Sequence, residues 1–216
     1  MNYSVIIFDC DGVILDSNKL KSEAMEEAVG DYDRDLVSQF IRYHKEHGGI
    51  SRYEKFDYFL RKMAKNYSEK EYKRLLDRLS DFVRAKLIEV PLTNGAFEFM
   101  HDAHQSTDLY IVSGADQNEL REVFSKRDLA KFFRGIYGSP TTKVDNCKKI
   151  KSNLRVSDSV LMIGDSRQDY IAANSCGFDF VFISGYTDME HWQEFCNENS
   201  LQHFPDLYAL SRSAVQ

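Results

Sequence analysis

Two aspartates, Asp9 and Asp11, stand directly after the apolar run VIIF at residues 5–8, in the stretch SVIIFDCDGVILDS. Carboxylates this close repel each other unless a cation lies beside them or one of them takes up a proton. Because Asp-Gly is a common turn pair, a turn without chemistry is the simplest alternative. An EF-hand calcium loop does not fit, since Gly12 and apolar residues stand where that loop needs more oxygen ligands.

A second acidic pair follows another apolar run. The run VLMI at residues 160–163 leads into GDSRQD, which places Asp165 directly after the run and Asp169 one helical turn later. If the two runs form neighbouring strands, three or four carboxylates meet at one point. Oxygen ligands without nearby His or Cys favour a hard cation, and a small number of protein ligands favours Mg²⁺ that keeps some of its waters.

Two other positions are suited to an anion at the same edge. Ser113 follows the apolar run LYIV at residues 109–112, and the backbone amides near Gly114 open a helical stretch, an arrangement that suits phosphate oxygens. Lys143 follows the loop GSPTT and begins another helical stretch, so it can supply a fixed positive charge. Together these residues indicate chemistry on a phosphate group.

A sheet with several strand ends at one edge would bring these residues together. Apolar runs with the length and composition of buried parallel strands lie at 5–8, 109–112, 160–163 and 180–183, with a weaker candidate at 135–138. Amphipathic stretches lie between them at 95–105, 116–127, 143–153 and 167–176. The alternation predicts an α/β fold with a Rossmann-like parallel sheet, in which ligands bind beyond the carboxyl ends of the strands.

Residues 17–90 interrupt this alternation. They contain no good strand, and their periodicity predicts four helices at 17–29, 34–46, 51–65 and 68–88. Pro91 and Asn94-Gly95 mark the return to the alternating pattern. We therefore expect an α/β core domain made of 1–16 and 91–216, and a helical domain of 17–90 inserted after the first strand.

The composition of the chain limits the classes of partner that it can bind. Of the 216 residues 43% are hydrophobic, and the formal net charge of −6 argues against a nucleic-acid or anionic-membrane partner. The apolar runs are only a few residues long and no basic-then-apolar leader opens the chain, so it is predicted to be neither secreted nor membrane-spanning. The four cysteines lack CxxC spacing, which is typical of a reduced, cytoplasmic protein: Cys10, Cys147, Cys176 and Cys196.

The motifs resemble those of the haloacid dehalogenase superfamily of phosphohydrolases, and they occur in that family's order. DCDGV at 9–13 is similar to the first motif, Ser113 in IVSGA to the second, Lys143 to the third and GDSRQD at 164–169 to the fourth. The insertion lies where a subgroup similar to phosphoglycolate phosphatase and β-phosphoglucomutase carries a helical cap domain. The resemblance implies a Mg²⁺-dependent phosphatase that acts on a small phosphorylated metabolite.

The resemblance also gives each motif residue a role. Asp9 would be the nucleophile that forms an aspartyl-phosphate, and Asp11 the general acid and base. Mg²⁺ would be held by Asp9, the backbone carbonyl of Asp11 and Asp165, with Asp169 behind them or acting through water. Charge on the phosphoryl oxygens would be stabilised by Ser113, Lys143 and the amides near Gly12 and Gly114. Because a true dehalogenase of this superfamily needs neither a metal nor the second aspartate, Asp11 favours a phosphate substrate.

One segment of the insertion bears on the substrate. GGISR at residues 48–52 resembles the substrate-specificity loop in the caps of β-phosphoglucomutase-like members. On that resemblance Arg52 would face a second anionic group of the substrate, whereas the alternative is a solvated loop with an ordinary helix start. The weaker candidates for substrate contact are Gly49, His47, Ser51 and Lys55.

Three other functions remain as alternatives. A β-phosphoglucomutase-like mutase would carry a histidine at the position of Lys21, so phosphatase activity is preferred and Lys21 is expected to offer positive charge near the cleft. A phosphonate-cleaving enzyme would need a Schiff-base lysine in its cap, for which Lys21 and Lys55 are the candidates. A receiver-like phospho-binding module would need an aspartate where Ser113 stands, and it has no counterpart of the insertion.

Overall fold

Six strands form one sheet in the computed structural model, which describes residues 3–213. They are β1 (Val5–Phe8), β2 (Asp108–Asp116), β3 (Gly135–Ser139), β4 (Val160–Gly164), β5 (Asp179–Ile183) and β6 (Gln202–Phe204). All neighbouring strands are parallel, in the order β3-β2-β1-β4-β5-β6. The predicted α/β fold with a parallel sheet is therefore confirmed.

The insertion, residues 17–90, folds as helices. These are α1 (Asn18–Ala28), α2 (Arg34–Glu46), α3 (Arg52–Tyr58), which continues into a π-helical turn at Phe59–Met63, and α4 (Glu69–Glu89). Ser51 and Ser68 begin α3 and α4, because each side chain accepts a hydrogen bond from a backbone N–H in the first turn. Each bound lies within two residues of its prediction, since the serine caps and the Gly-Gly break are local signals.

The remaining helices flank the sheet: α5 (Ala96–Ala103), α6 (Gln117–Lys126), α7 (Lys143–Lys151), α8 (Arg167–Cys176), α9 (Trp192–Glu198) and α10 (Leu207–Ser213). The side chains of β1 alternate between the two faces. Ile6 and Phe8 pack in the larger apolar cluster, which includes side chains of the insertion, whereas Val5 and Ile7 pack in a second cluster with residues of α7 and α8. No helix among residues 3–213 has both the length and the apolar character needed to cross a membrane.

Two differences from the sequence prediction stand out. No element was predicted beyond residue 183, yet β6, α9 and α10 follow, because β6 is a three-residue, largely exposed edge strand without an apolar run. Strand β2 also continues past its predicted end through Ser113 to Asp116, with an irregular register against β3. Ser113 therefore lies within a strand, in the part of β2 where the pairing with β3 is irregular.

Register places the motif residues at one edge. Phe8, the last residue of β1, pairs with Ile111 of β2 and Ile163 of β4. Asp9 and Asp165 therefore follow the carboxyl ends of two adjacent central strands, beside the irregular part of β2. The two connections to the insertion run next to each other at this edge, since the N–H of Asp16 donates to the carbonyl of Pro91 at 2.9 Å.

Candidate active site

Three carboxylates meet where the sequence predicts them. Asp9 follows β1, Asp165 follows β4 and Asp169 lies in the first turn of α8; one oxygen of each lies within 4.8 Å of the other two. All three side chains are buried, and Asp169 is fully so. The carboxylate of Asp169 accepts hydrogen bonds from the backbone N–H of Ser166 at 3.2 Å and from the hydroxyl of Ser166 at 2.5 Å. These contacts belong to a capping box at the start of α8.

Lys143 supplies positive charge to this cluster from the start of α7. Its Nζ lies 2.6 Å from Oδ1 of Asp169 and 3.0 Å from Oδ1 of Asp9. Burial alone would lower the pKa of Lys143, but Asp169 and Asp9 outweigh burial and raise the pKa above its ordinary value. Lys143 is therefore charged at any physiological pH. We call Asp9, Asp165, Asp169 and Lys143 the acidic floor.

The acidic floor has more carboxylates than cations. Burial, followed by the charge of Asp169, raises the pKa of Asp9 to about 7, although Lys143 opposes the shift. Burial and then Asp9 and Asp169 also raise the pKa of Asp165 well above its ordinary value. Oδ1 of Asp9 receives no hydrogen bond from any residue between 3 and 213, because the contact with Lys143 is an ion pair without hydrogen-bond geometry. A buried oxygen without a donor, among oxygen-only ligands, fits a hard cation such as Mg²⁺.

Asp11 lies outside this cluster. Its Oδ1 accepts a hydrogen bond from the hydroxyl of Ser17 and lies 3.8 Å from Nζ of Lys21. The next residue, Gly12, has φ +77°, and a Cβ there would lie 2.2 Å from Oδ2 of Asp165. Only glycine therefore fits at this position. The predicted acid–base role of Asp11 and the metal contact of its carbonyl remain predictions.

Ser113 and Gly114 line a cavity of about 230 Å³ between the sheet edge and the insertion. Ser113 is buried, and its hydroxyl accepts a hydrogen bond from the N–H of Ala115 at 3.1 Å. A Cβ on Gly114 would lie 2.4 Å from the carbonyl oxygen of Gly49. The sheet edge and the insertion loop thus approach each other too closely for a side chain at this point.

The insertion loop Gly48–Gly49–Ile50 covers the floor. Gly49 has φ +79°, and a Cβ there would lie 2.7 Å from Oγ of Ser166 and 3.2 Å from Nζ of Lys143. Asn18, the first residue of α1, reaches the floor as well, since its Nδ2 donates to Oδ2 of Asp165 at 2.8 Å. These contacts place the insertion in a closed arrangement over the floor.

Arg52, at the start of α3, points its guanidinium to a carboxylate of the core. Its two terminal nitrogens donate to Glu119 of α6, at 2.7 Å to Oε1 and 3.1 Å to Oε2, in a buried bidentate pair. Nζ of Lys21 lies 3.3 Å from the same carboxylate. Burial would raise the pKa of Glu119, but Lys21 and Arg52 together hold it below its ordinary value.

Lys55 is the other buried cation of the insertion, and it also lines the cavity. Its Nζ lies 2.9 Å from Nδ1 and 3.1 Å from the carbonyl oxygen of His44. Burial, then the charge of Lys143, lowers the pKa of Lys55 to about 7. Burial and then Lys55 lower the pKa of His44 well below its ordinary value, so His44 is neutral. We call Lys21, Arg52, Lys55 and Glu119 the basic wall.

Sequence reasoning missed several residues that support the site. Glu119, Asn18 and His44 each hold a predicted residue in place, and Thr187 donates from its hydroxyl to the carbonyl of Asp165 at 2.6 Å. Asn18 lies five residues after the first motif, and its position could have suggested a role. Glu119 and Thr187 give no such signal, because long-range packing brings them to the site.

The sequence of the chain matches a known family. The model of the haloacid dehalogenase-like hydrolase family matches residues 6–183, and the chain belongs to this family. The predicted superfamily is confirmed. Among the curated proteins, none matches the chain significantly.

Solved structures share the whole fold. One, described as a predicted phosphatase from Clostridium acetobutylicum, is 17% identical with a TM-score of 0.75, covering 99% of this chain and 98% of that chain. Another, described as a predicted phosphoglycolate phosphatase from Haemophilus somnus 129pt, is 17% identical with a TM-score of 0.70, covering 100% and 99%. The candidate HAD-hydrolase YfnB from Bacillus subtilis, bound to magnesium, is 19% identical with a TM-score of 0.68 and covers 98% of each chain. At these identities the likeness is one of fold.

Proposed function

We propose that this hydrolase is a phosphatase that cleaves phosphate from a small metabolite. The observation that carries the proposal is the acidic floor: Asp9, with one buried oxygen that has no hydrogen-bond donor, lies beside Asp165, Asp169 and Lys143. This arrangement combines a carboxylate that can act as a nucleophile with charges that can neutralise a phosphate. The phosphatase descriptions of two structural neighbours agree with it.

Asp9 is the proposed nucleophile, which attacks phosphorus and carries an aspartyl-phosphate until water removes it. Asp11 is the proposed proton donor to the leaving alkoxide and the acceptor of a proton from water. The hydrogen bond from Ser17 and the nearby Lys21 orient the carboxylate of Asp11 while leaving its second oxygen for the proton. Ser113, Lys143 and the amides near Gly12 and Gly114 would hold the phosphoryl oxygens.

Mg²⁺ is the proposed cofactor, and Asp9, Asp165, Asp169 and the carbonyl of Asp11 are the residues that would hold it. When bound, the ion neutralises charge on the phosphate and on the nucleophile. Asn18 and Thr187 fix Asp165 through its side chain and its backbone carbonyl, respectively, so they orient one of these ligands.

The insertion is the proposed cap domain, residues 17–90, over a core of 1–16 and 91–216. Its loop at Gly49 touches Ser166 of the core, and its two connections lie side by side, as a hinge requires. Closure would exclude water from the phosphate. The magnesium-bound YfnB structure is described as revealing interdomain movement.

A β-phosphoglucomutase-like reaction is the second candidate. At the position where such mutases have a histidine, Lys21 lies 3.8 Å from Asp11 and 3.3 Å from Glu119, which makes it an ion-pair partner of both carboxylates. Since no histidine among the described residues contacts Asp11, hydrolysis is favoured over phosphate transfer between sugars.

Release of phosphate from p-nitrophenyl phosphate tests the proposal. We expect turnover with Mg²⁺, none after chelation, and at least a thousand-fold loss in Asp9→Asn. Asp16→Asn is the matched control, because Asp16 is an exposed aspartate on the same segment, so the same change should leave turnover near the native rate. Asp11→Asn should still accumulate phosphate on Asp9, seen as an added phosphoryl mass. Native-like activity of Asp9→Asn would refute the proposal.

A further inference from the structure

The basic wall has one buried cation that no carboxylate neutralises. Arg52 forms an ion pair with Glu119, and Lys21 lies within ion-pair distance of both Glu119 and Asp11, so each of these two cations has a carboxylate partner within the protein. Among residues 3–213, Lys55 has no carboxylate within ion-pair distance, and its amine contacts only the ring and the carbonyl of His44. The nearest acidic groups that act on it are more remote: Asp11, Asp188 and Glu54.

We propose that Lys55, positioned by His44, binds a second anionic group of the substrate, a carboxylate or a second phosphate, at the end remote from the phosphate that is cleaved. A buried ammonium without a counter-ion is costly, and an anion that enters the cavity removes that cost. The ligand would therefore supply the charge that the basic wall lacks. This inference rests on the proposed phosphatase function and names the substrate class of the same cavity.

Hydrogen-bond capacity supports the assignment. An ammonium has three donors, and His44 takes two of those of Lys55 at its Nδ1 and its carbonyl. One donor remains, and it belongs to a residue that is only 3% exposed and lines the cavity. Because the two contacts with His44 fix the position of Nζ, the donor is pre-organised, and little side-chain entropy is lost when an anion binds.

Arg52 is the less suitable candidate for this contact, although sequence resemblance favours it. Both of its terminal nitrogens are occupied by Glu119, and one of them also donates to Ser80 at 3.2 Å. An anion that bound to Arg52 would have to displace Glu119, and that buried carboxylate would then keep only Lys21 as an ion-pair partner. Lys55 needs no such exchange.

Pairs of phosphate esters that differ only in the remote group provide the test. For a carboxylate, 2-phosphoglycolate is compared with 2-hydroxyethyl phosphate; for a second phosphate, glucose 1,6-bisphosphate is compared with glucose 1-phosphate. The measured quantity is the ratio of kcat/KM for the charged ester to that for the neutral one. We expect the native enzyme to favour the charged member of one pair at least tenfold, and that pair identifies the remote group.

Replacement of Lys55 should remove this preference. In Lys55→Met we expect the ratio to fall at least tenfold, mostly through KM, with a much smaller effect on the neutral esters. Lys62→Met, at an exposed lysine that follows α3, is the matched control and should keep the native ratio. Lys55→Gln serves as the second variant if Lys55→Met folds poorly.

The outcomes separate this inference from the proposed function. A native enzyme that turns over esters but favours neither charged member would overturn the role of Lys55 without any variant. An unchanged ratio in both Lys55 variants would do the same. If no ester and no p-nitrophenyl phosphate is hydrolysed, the proposed phosphatase itself fails.

Discussion

The cavity has two sides with opposite imbalances of charge. The acidic floor combines three carboxylates with the single ammonium of Lys143, and it is built on strand ends of the core. The basic wall combines three cations with the single carboxylate of Glu119, and its cations are carried by the insertion. Each side is therefore short of the charge that the other holds in excess.

Burial shifts the pKa values on the two sides in opposite directions, and both shifts favour the uncharged form of the group. It raises the pKa of Asp9 to about 7 and lowers the pKa of Lys55 to about 7, so each group is driven towards its neutral form. A cation would restore the charge on the floor, and an anion would restore it on the wall. A ligand that carries both a phosphate and a second acid could therefore satisfy the two sides together, but only while the insertion is closed.

Removal of Lys143 should have the largest effect. In Lys143→Met, Asp9 and Asp169 lose their cation while buried, so we expect a loss of about 3 kcal/mol in the free energy of unfolding without metal. Turnover of p-nitrophenyl phosphate should fall at least a hundredfold, because the oxygens of the phosphate lose a fixed charge. Urea unfolding and steady-state kinetics measure the two effects.

A second substitution separates the effect of carboxylate repulsion on stability from the effect of Lys143 on turnover. Lys143→Met combined with Asp9→Asn removes one carboxylate together with the lysine, so stability should recover in part while activity stays absent. Lys148→Met, at an exposed lysine of the same helix, is the control and should change neither quantity. Equal instability of the single and double variants would contradict the charge-imbalance argument.

Disruption of the Arg52–Glu119 pair should have an intermediate effect. It distinguishes two roles for Arg52, attachment of the insertion to the core and contact with the substrate. If Arg52 mainly fastens the insertion to α6, Arg52→Met and Glu119→Gln should each raise KM about tenfold for charged and neutral esters alike. The double variant should be little worse than either single one, since both remove the same buried contact. Arg61→Met and Asp57→Asn, an exposed pair on the same stretch, should show little coupling.

A selective loss on charged esters in Arg52→Met would instead favour the role that sequence resemblance predicts. In that case Glu119→Gln should improve binding of the charged ester, because the guanidinium is released. The ratio of kcat/KM within each ester pair therefore decides between fastening and substrate contact.

The contrast between floor and wall also explains what sequence could predict. Asp9, Asp165 and Lys143 follow strand ends or begin helices, so local patterns place them at one edge of a parallel sheet. The partners in the wall depend on how the insertion packs against the core. Nothing local to Glu119 or His44 indicates that one meets Arg52 and the other Lys55, 67 and 11 residues away.

The late elements were missed for a related reason. Strand β6 is short, lies at the exposed edge of the sheet and is poor in apolar residues. It forms a strand because it pairs with β5, and its composition gives no sign of this. Thr187, in the loop after β5, reaches the carbonyl of Asp165 only because β5 lies beside β4. Such contacts are set by topology, which the apolar runs predict only in outline.

The last expected effect concerns folding alone and is measured without substrate: the pH dependence of stability due to Lys55. Its pKa falls from 10.5 in the unfolded chain to about 7 in the folded one, so between these values the unfolded state binds more protons and stability rises with pH. The slope from one such group is at most about 1.4 kcal/mol per pH unit. The charged groups that act on it are Lys143, Asp11, Asp188 and Glu54, besides neutral His44.

Lys55→Met removes this penalty, so the variant should be more stable than the native protein near pH 6, and its advantage should shrink between pH 7 and 10.5. Urea unfolding across that range measures the difference, and Lys62→Met should run parallel to the native curve. A constant difference at all pH values would mean that Lys55 keeps its proton in the folded protein. It would then already have a counter-charge, and the basic wall would lack nothing for a substrate to supply.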